Sequence, residues 1–285
     1  MHITCATYNI LRGHHTDLIL KNIRFLIGEG ADVLCLQEAE VSFEDSLREL
    51  LAHTDFSDWD MHHAHVGVGG NVAILWNKKK LRLIDTKVVR LHKLRIPFQL
   101  SALRELTDKI ERAALVGSFE WEKKVLQVTS AHFAWEGGEK HRMRQVHHLR
   151  ETIEEQPADF RILAGDFNTI GLSALRHSRE RTLEETLGRK YVNALPKLHW
   201  SFDIAYTDPR DKLRILASLY YLGLKFRNRL DYIFATSLNV VSAAMHDLPG
   251  SDHRPLLATF SIAATSPRPV TIATQPLEDL VNEPR

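Results

Sequence analysis

Short apolar runs and longer helical patterns alternate along the chain, and together they predict a mixed α/β protein. Apolar runs bounded by glycine, proline or charged residues are typical of strands, whereas apolar residues three and four positions apart indicate helices. The predicted strands are 2–10, 32–37, 71–76, 81–84, 88–91, 113–121, 125–132, 160–164, 230–235, 240–245 and 256–262. The predicted helices are 17–30, 42–52, 139–155, 172–178 and 181–188. Strands that are separated by helices bring their ends to a common edge of a sheet.

Polar residues stand where several of these predicted strands end. The buried run 160–164 leads through Gly165 to Asp166, and Asn168 lies on the same side if the chain stays extended. Such a pair is also typical of an ordinary turn, and taken alone the two interpretations are about equally supported. The same kind of ending recurs along the chain, at Asn9, Glu38, His132, Asp166 with Asn168, Asp231, and Asp252 with His253. Acids, amides and histidines at so many ends predict one converging site.

Composition narrows the class of protein without identifying its partner. The formal charge is +1 over 285 residues, which excludes a strongly basic or acidic protein, so any phosphate-binding surface has to be local. Cys5 and Cys35 lie inside apolar runs, where free thiols behave as small hydrophobic groups. We therefore expect no disulfide and a reducing, cytoplasmic location. The apolar runs are too short for a membrane helix and the chain opens on a strand, so neither membrane insertion nor a signal peptide is expected.

Three histidines, His62, His63 and His65, precede a glycine-rich turn. The spacing of His63 and His65 places both on one face of a strand, which permits a metal pair. No third soft ligand lies near them in the sequence, so exposed or substrate-edge histidines are the favoured interpretation. The upstream stretch 42–45, Ser-Phe-Glu-Asp, resembles a capping arrangement at the start of a helix.

The stretch 190–229 is the hardest to assign. Basic residues flank its apolar run 215–222, and they are Lys212, Arg214, Lys225, Arg227 and Arg229. This segment is a candidate insertion for substrate recognition, although an amphipathic surface element is slightly favoured. From residue 264 onward, prolines, threonines and charges follow no period and predict a loosely ordered tail. We therefore expect a single domain over residues 1–263 and a C-terminal tail over 264–285.

Six short motifs occur in one order between residues 7 and 253. They are Thr7-Tyr8-Asn9, Leu36-Gln37-Glu38, Ser130-Ala131-His132-Phe133, Gly165-Asp166-Phe167-Asn168, Leu230-Asp231-Tyr232-Ile233-Phe234 and Ser251-Asp252-His253. Each motif alone is weak, but in this order the chain resembles the Mg²⁺-dependent endonuclease/exonuclease/phosphatase superfamily. The resemblance implies a four-layer α/β/β/α sandwich, in which two mixed β-sheets lie back to back and are flanked by helices.

The resemblance also implies which residues hold a metal. Mg²⁺, with Mn²⁺ as a substitute, would be held principally by Glu38, with Asn9 beside it and Asp252 as a further ligand. Carboxylate and amide oxygens are the ligands that Mg²⁺ prefers, and the ion commonly keeps several waters. These residues suit such a site without a dedicated cage.

Catalytic and substrate-binding roles follow from the same resemblance. The expected catalytic residues are His132, Asp166, Asn168, Asp231 and His253, and the expected substrate ligands are Asn9, Asn168, His132 and Arg229. Asp166 would orient or deprotonate the attacking water, and His253, oriented by Asp231, would contact the phosphate. His132 would bind phosphate or act as an acid. Some nucleases of the family pair this histidine with a glutamate from the middle of the chain, and no counterpart can be placed here.

The implied activity is hydrolysis of a phosphodiester by in-line attack of water. A nuclease or an enzyme acting on nucleic-acid ends is the first choice, because basic segments at 78–80, 87–95 and 212–229 are able to follow a phosphate backbone. The near-neutral charge also suits a small phosphorylated metabolite or a lipid headgroup. The signature of inositol 5-phosphatases is absent, and residues 228–232 take its place.

A third hypothesis is a non-catalytic relative that binds nucleic acid or a protein. Such a relative would have lost a metal ligand, whereas every expected position is filled here. No glycine-rich dinucleotide motif or P-loop is present, which excludes the common nucleotide-binding classes. The oligomeric state is left open.

Overall fold

The computed structural model describes residues 1–67, 70–94, 111–170, 176–206 and 227–262. The α-helices in these residues are α1 Thr16–Gly28, α2 Val41–Ala52, α3 Gly138–Glu154 and α4 Arg176–Leu187. The strands are β1 His2–Asn9, β2 Val33–Gln37, β3 Trp59–Ala64, β4 Val72–Asn77, β5 Arg82–Arg90, β6 Ala113–Trp121, β7 Lys124–His132, β8 Phe160–Asp166, β9 Val192–Asn193, β10 Phe202–Asp203, β11 Arg227–Asn228, β12 Asp231–Thr236, β13 Leu238–Met245 and β14 Leu256–Ile262. Most bounds agree with the sequence prediction to within two residues.

All of these strands except β10 and β11, which pair with each other, form two large mixed sheets. Sheet 1 has the order β13-β14-β1-β2-β4-β3, and sheet 2 has the order β5-β6-β7-β8-β12-β9. Each sheet contains one parallel pair, β1 with β2 and β7 with β8. A parallel pair requires a crossover connection, which α1 supplies in sheet 1 and α3 supplies in sheet 2. Both parallel pairs therefore end at the edge where the polar residues were predicted.

Side chains along each strand point alternately to the two faces of its sheet, and the packing of these faces produces four layers. In β1, Ile3 and Cys5 belong to the core between the sheets, whereas Ala6 and Tyr8 pack against the side of sheet 1 that α1 and α2 cover. Trp76 of sheet 1 and Phe119 of sheet 2 meet across the middle, with ring centroids 5.4 Å apart. A third cluster joins the outer face of sheet 2 to α3 and α4. The predicted four-layer α/β/β/α sandwich is confirmed.

Two details differ from the prediction. The predicted strands 81–84 and 88–91 are one strand, β5, with a register shift between Leu83 and Asp85. This strand lies at the edge of sheet 2 and exposes one face, so polar residues in its middle do not interrupt the ladder. The helix predicted at 181–188 begins earlier, at Arg176. The other predicted helix, 172–178, therefore shares its last residues with α4, and its residues 172–175 lie outside the described ranges.

Several predictions concern residues outside the described ranges. They are the apolar run 215–222 with Lys212, Arg214 and Lys225, and the tail from residue 264. The domain limits at 263 and 264 and the recognition insertion therefore stay predictions. Within the described ranges, no helix combines the length and the apolar character that crossing a bilayer requires.

Candidate active site

Strand register places three predicted site residues side by side in sheet 2. His132 at the end of β7 pairs with Asp166 at the end of the parallel strand β8. Asp231 at the start of the antiparallel strand β12 pairs with Asp166 from the other side. All three side chains are buried. The pattern of polar strand ends therefore marks one position in the fold, as the sequence predicted.

Gly165 allows β8 to present Asp166 in this position. Its φ is +148°, and an added Cβ would lie 1.9 Å from the carbonyl oxygen of Ala131 on the neighbouring strand. Any other residue would push the two parallel strands apart. The Asp166 carboxylate then accepts hydrogen bonds from the Asn168 backbone N–H at 2.8 Å and from Asn9 Nδ2 at 3.0 Å. Asn168 is fixed in turn, because its Nδ2 donates to the carbonyl of Phe133 at 2.8 Å.

Asn9 joins the two sheets at the site. It ends β1 in sheet 1, and its Nδ2 donates to Asp166 Oδ2 in sheet 2 and, at 3.3 Å, to Glu38 Oε1. Asn9 Oδ1 accepts the backbone N–H of Leu11 at 3.1 Å, which fixes the orientation of the amide. Glu38 follows β2 with a positive φ of 54°. The register of β1 with β2 thus brings the predicted metal ligands of sheet 1 against the acid of sheet 2.

Glu38 is the carboxylate of this group with an open side. Its side chain is 20% exposed, and its Oε2 lies 3.7 Å from Nε of Arg12, itself 44% exposed. Asp166, Asp231 and His253 also form a compact set of ligand atoms, all within 4.8 Å of one another, but they are buried and bonded to each other. A partly open carboxylate beside amide and carboxylate oxygens fits a hard divalent cation that keeps some of its water.

Asp252 reaches the site from the loop between β13 and β14. The adjacent Ser251 donates through Oγ to the backbone carbonyl of Asn9 at 2.7 Å. The carbonyl of Asp252 accepts the backbone N–H of Asp203 at 2.9 Å. These contacts hold the loop against both β1 and the short strand β10, so the third predicted metal ligand lies at the same edge as Asn9.

His253 and Asp231 form a buried pair. His253 Nδ1 lies 2.8 Å from Asp231 Oδ2, and Ser201 Oγ donates to the same oxygen at 2.7 Å. Burial alone would lower the pKa of His253, but the carboxylates of Asp231 and Asp166 outweigh it and raise the pKa to about 10. Burial in turn raises the pKa of Asp166. With Nδ1 held by Asp231, Nε2 of His253 points toward Asp166, 3.8 Å from its Oδ2.

His132 has a basic neighbour that the sequence did not reveal. Nη1 of Arg112 lies 2.8 Å from His132 Nε2, and Nη2 of the same guanidinium lies 2.9 Å from Glu136 Oε1. The same Nη1 atom also lies 3.2 Å from Nδ1 of the ring, and since a guanidinium only donates, the ring nitrogen that pairs with it is an acceptor. Arg112 therefore lies between the ring of His132 and the carboxylate of Glu136.

Arg229, predicted to bind substrate, is placed differently. Its guanidinium is fully buried, 2.9 Å from Asn193 Oδ1 and 3.4 Å from Glu180 Oε1, and it lies over the ring of Tyr232 at 4.2 Å. These partners anchor α4 to sheet 2, and this packing disfavours a role in binding substrate. The roles of the other predicted residues stay predictions, although the contacts above bring all of them except the Asp252 side chain together, and the loop that carries Asp252 lies at the same edge.

Sequence reasoning missed Ser201 and Arg112. Ser201 lies in the stretch 190–229, where no clear periodicity marks an element, and the adjacent Phe202 forms a β-bridge with His253. Arg112 precedes β6 and meets His132 across the β6–β7 pair. The only signal in the sequence for Ser201 or Arg112 is that each lies next to a strand, and many surface residues do so as well.

Comparison with known proteins shows which proteins this chain is similar to. The model of the Endonuclease/Exonuclease/phosphatase family matches residues 6–253. In structure, the chain is similar to zebrafish (D. rerio) TDP2 complexed with a single-strand DNA product, with a TM-score of 0.66 and 16% identity over 91% of this chain and 99% of that one. An endonuclease/exonuclease/phosphatase from Bacteroides vulgatus has the same TM-score of 0.66, with 19% identity over 92% and 100% of the two chains. A UPF0294 protein of Vibrio vulnificus is 25% identical over 82% of this chain and 68% of its own.

The two-sheet sandwich with its polar strand ends at one edge is the architecture of a class of hydrolytic enzymes that act on phosphoesters. The chain belongs to the Endonuclease/Exonuclease/phosphatase family, since the family model spans nearly all of the described fold. Members of this family typically use a divalent metal.

Proposed function

We propose that the protein hydrolyses phosphodiester bonds with Mg²⁺, or Mn²⁺ in its place, and that its substrates are nucleic acids. The main observation that supports this proposal is the hydrogen bond from Asn9 to Asp166. It holds the open carboxylate of Glu38 in sheet 1 beside the buried acids and histidines of sheet 2. A phosphate at this junction would have oxygen ligands for a cation on one side and imidazole groups on the other.

Glu38, Asn9 and Asp252 would hold the cation. When bound, Mg²⁺ polarises a phosphoryl oxygen and neutralises the charge that develops on it. Glu38 is suited to the principal role because its carboxylate is open to solvent on the side of Arg12. Asn9 then orients Glu38 through the hydrogen bond from Nδ2.

Asp166 is the proposed general base. Its raised pKa lets it take a proton near neutral pH more readily than an exposed aspartate does. As water attacks phosphorus, its proton passes to Asp166, the new P–O bond forms, and the bond to the leaving oxygen breaks. Asn9 and Asn168 fix the carboxylate through the hydrogen bonds described above, so that one geometry is available to the water.

The two histidines are proposed to act on phosphate oxygens. His253, protonated beside Asp231, would donate from Nε2 to a non-bridging oxygen and stabilise its negative charge. His132 lies 4.0 Å from Glu38 Oε1 and 3.6 Å from Asp166 Oδ2, and Arg112 adds a positive charge behind it. His132 with Arg112 would therefore support the charge on a second oxygen or on the leaving group.

Two features near the site favour a nucleic-acid substrate. Trp135 is 56% exposed although it follows His132 by only three residues, and exposed aromatic rings stack on unpaired bases. Arg12, beside Glu38, offers an exposed cation to a flanking phosphate. The similarly folded zebrafish TDP2 is complexed with a single-strand DNA product. By contrast, Lys79 and Lys80 of the predicted basic segment 78–80 form ion pairs with Asp58 and Asp32.

A small phosphorylated metabolite or a lipid headgroup is the second candidate substrate. The net charge of +1 supplies no general attraction to a polyanion, which is the observation that favours it. A cytoplasmic location also belongs to the proposal, because Cys5 and Cys35 are free and buried.

Turnover on a panel of substrates tests the function. The panel holds single-stranded and duplex DNA, RNA, duplexes with blocked ends, inositol phosphates, sphingomyelin and a generic diester, each with Mg²⁺ and with EDTA. Asp166→Asn and His253→Gln are the test variants, and Asp55→Asn, whose side chain is 76% exposed, is the matched control. We expect Mg²⁺-dependent cleavage of a nucleic acid that falls by about 10²–10⁴-fold in the test variants only.

The Trp135→Ala variant tests the binding of nucleic acid separately from the catalytic step. If bases stack on this ring, KM for single-stranded DNA rises by about tenfold or more, while turnover of the generic diester is unchanged. Cleavage confined to lipid or metabolite esters would retain the catalytic site and refute the nucleic-acid substrate. No turnover on any member of the panel would refute the enzyme activity itself.

A further inference from the structure

A second group of ligand-forming side chains contains none of the predicted site residues. It consists of Glu44, His63 and His65, whose ligand atoms all lie within 4.8 Å of one another. The Oε2 atom of Glu44 is 3.0 Å from His63 Nδ1 and 2.6 Å from His65 Nε2. The two imidazole rings are 4.0 Å apart between centroids.

Local structure explains why these residues meet. His63 lies in β3, and His65, two residues further on, directly follows the end of the strand, so both side chains leave the same face. Glu44 lies in the first turn of α2, which covers that face. The sequence suggested that Glu44 belongs to a capping arrangement, but α2 begins without a side-chain cap, and the carboxylate turns toward the histidines instead.

Burial differs from the expectation of exposed histidines. The side chain of His63 is 1% exposed, whereas that of His65 is 43% exposed. The expectation is therefore wrong for His63, because α2 and the segment after β2 cover it. The group thus has one buried nitrogen ligand and one that faces solvent, which leaves an entrance for an ion.

The contacts of His63 place one of its ring nitrogens, as an acceptor, against another acceptor. Its Nε2 contacts the backbone carbonyl of Ala39, which is only an acceptor, so this nitrogen carries the hydrogen. Nδ1 of the neutral ring then points a lone pair at Glu44 Oε2, which is also an acceptor. A positively charged species between them removes the conflict, and one placed there also reaches Nε2 of His65.

The other contacts suit metal coordination. The second carboxylate oxygen of Glu44, Oε1, accepts a hydrogen bond from Nε of Arg48 at 2.8 Å, which leaves Oε2 for the histidines. A ligand histidine commonly donates its other nitrogen to a backbone carbonyl, as His63 does to Ala39. Such outer contacts fix the tautomer in which the metal-facing nitrogen is bare.

We propose that Glu44, His63 and His65 bind a divalent transition metal ion, Zn²⁺ in particular, through one oxygen and two nitrogen atoms. Imidazole nitrogen favours Zn²⁺ over Mg²⁺, and three protein ligands with one open position are common for zinc. A tetrahedral zinc site with bonds of about 2.0 Å has ligand atoms about 3.3 Å apart. The two oxygen–nitrogen separations of 3.0 and 2.6 Å require only small outward movements, the larger by the exposed His65, and the two ring nitrogens lie within 4.8 Å of each other.

Zinc binding, rather than activity, is the readout. The EDTA-treated protein is titrated with Zn²⁺ by calorimetry in excess Mg²⁺, and Co²⁺ is added in parallel to record the visible absorption of a tetrahedral site. The test variants are His65→Ala, whose side chain is largely at the surface, and Glu44→Gln. The matched control is His62→Ala, which removes the neighbouring histidine that is not in the group.

We expect the wild-type protein and His62→Ala to bind one more equivalent of Zn²⁺ than His65→Ala, or to bind it about tenfold or more tightly. The Co²⁺ absorption disappears in both test variants. Equal thermal midpoints of all four proteins in EDTA show that folding is intact. Equal zinc stoichiometry and affinity in the wild type and His65→Ala overturns the site, and then a proton on His63 Nδ1 accounts for its contact with Glu44.

Discussion

Oδ2 of Asp231 lies 2.8 Å from Nδ1 of His253, and the same oxygen accepts a hydrogen bond from Ser201. Ser201 Oγ also accepts the backbone N–H groups of Leu230 and Asp231, at 3.0 Å each. One serine therefore holds both the carboxylate and the start of the strand that carries it. The protonation of His253 depends on this buried arrangement.

Asp231→Asn is expected to lower the pKa of His253. The variant removes the neighbouring carboxylate that favours the imidazolium, and burial then favours the neutral ring. Titration of the His253 ring resonances by NMR, from about pH 5 to pH 11, measures the change against the value of about 10. Ser201→Ala keeps the carboxylate and should shift the pKa less. A His253 pKa that is unchanged in Asp231→Asn would contradict the pairing.

Stability should depend on pH through the same histidine. The pKa of His253 is about 10 when folded and 6.5 in a model compound, so the folded state binds the proton more tightly. The stabilisation is therefore complete below pH 6.5 and is lost as the pH rises through about 10. The difference in urea midpoint between the wild type and His253→Gln should shrink over that interval. A constant difference would show that His253 does not titrate in this way.

Glu38→Gln is expected to raise the Mg²⁺ concentration that gives half-maximal activity by about tenfold or more, because the open carboxylate loses its charge. The measurement is activity against Mg²⁺ on the best substrate of the panel. Glu49→Gln on the exposed face of α2 is the control. If both variants show the Mg²⁺ dependence of the wild type, Glu38 is not the principal ligand.

Gly165→Ala should reduce both stability and activity. The added methyl group meets the carbonyl of Ala131, and the positive φ is strained for alanine, so a loss of more than about 1 kcal/mol in unfolding free energy is expected. Gly28→Ala, with no atom within 4 Å of its added Cβ, should instead stabilise α1 by about 0.5–1 kcal/mol. Urea denaturation of the two variants compares them. Equal stability of Gly165→Ala and the wild type would show that the strands can separate without cost.

The sequence predicted those parts of the fold and site that depend on local patterns. Apolar runs ending in Asn9, Glu38, His132 and Asp166 were sufficient, because parallel strands joined by helices carry their ends to one edge. For the edge strand β5 the sequence instead predicts two strands, because the exposed face of β5 interrupts the apolar pattern. Periodicity reports burial, and a strand that is half exposed gives a weak signal.

Contacts between distant segments were not predictable in the same way. Ser201 reaches Asp231 across 30 residues, and Glu44 reaches His63 across 19. No pattern in the sequence indicates that either residue of these two pairs contacts the other. Glu44 was assigned to a helix start, where a glutamate is common, and only the packing of α2 on β3 shows its contacts. Side-chain partners of this kind require the assembled layers.

Strand β14 lies between β13 and β1, in the interior of sheet 1, although it is made after both of them. The loop that precedes it carries Asp252 and His253. A nascent chain that ends before this stretch therefore leaves one edge of β1 unpaired and contains neither Asp252 nor His253. Asp252 and His253 are thus the last of the predicted site residues to be synthesised, after Asn9, Glu38, His132, Asp166, Asn168 and Asp231.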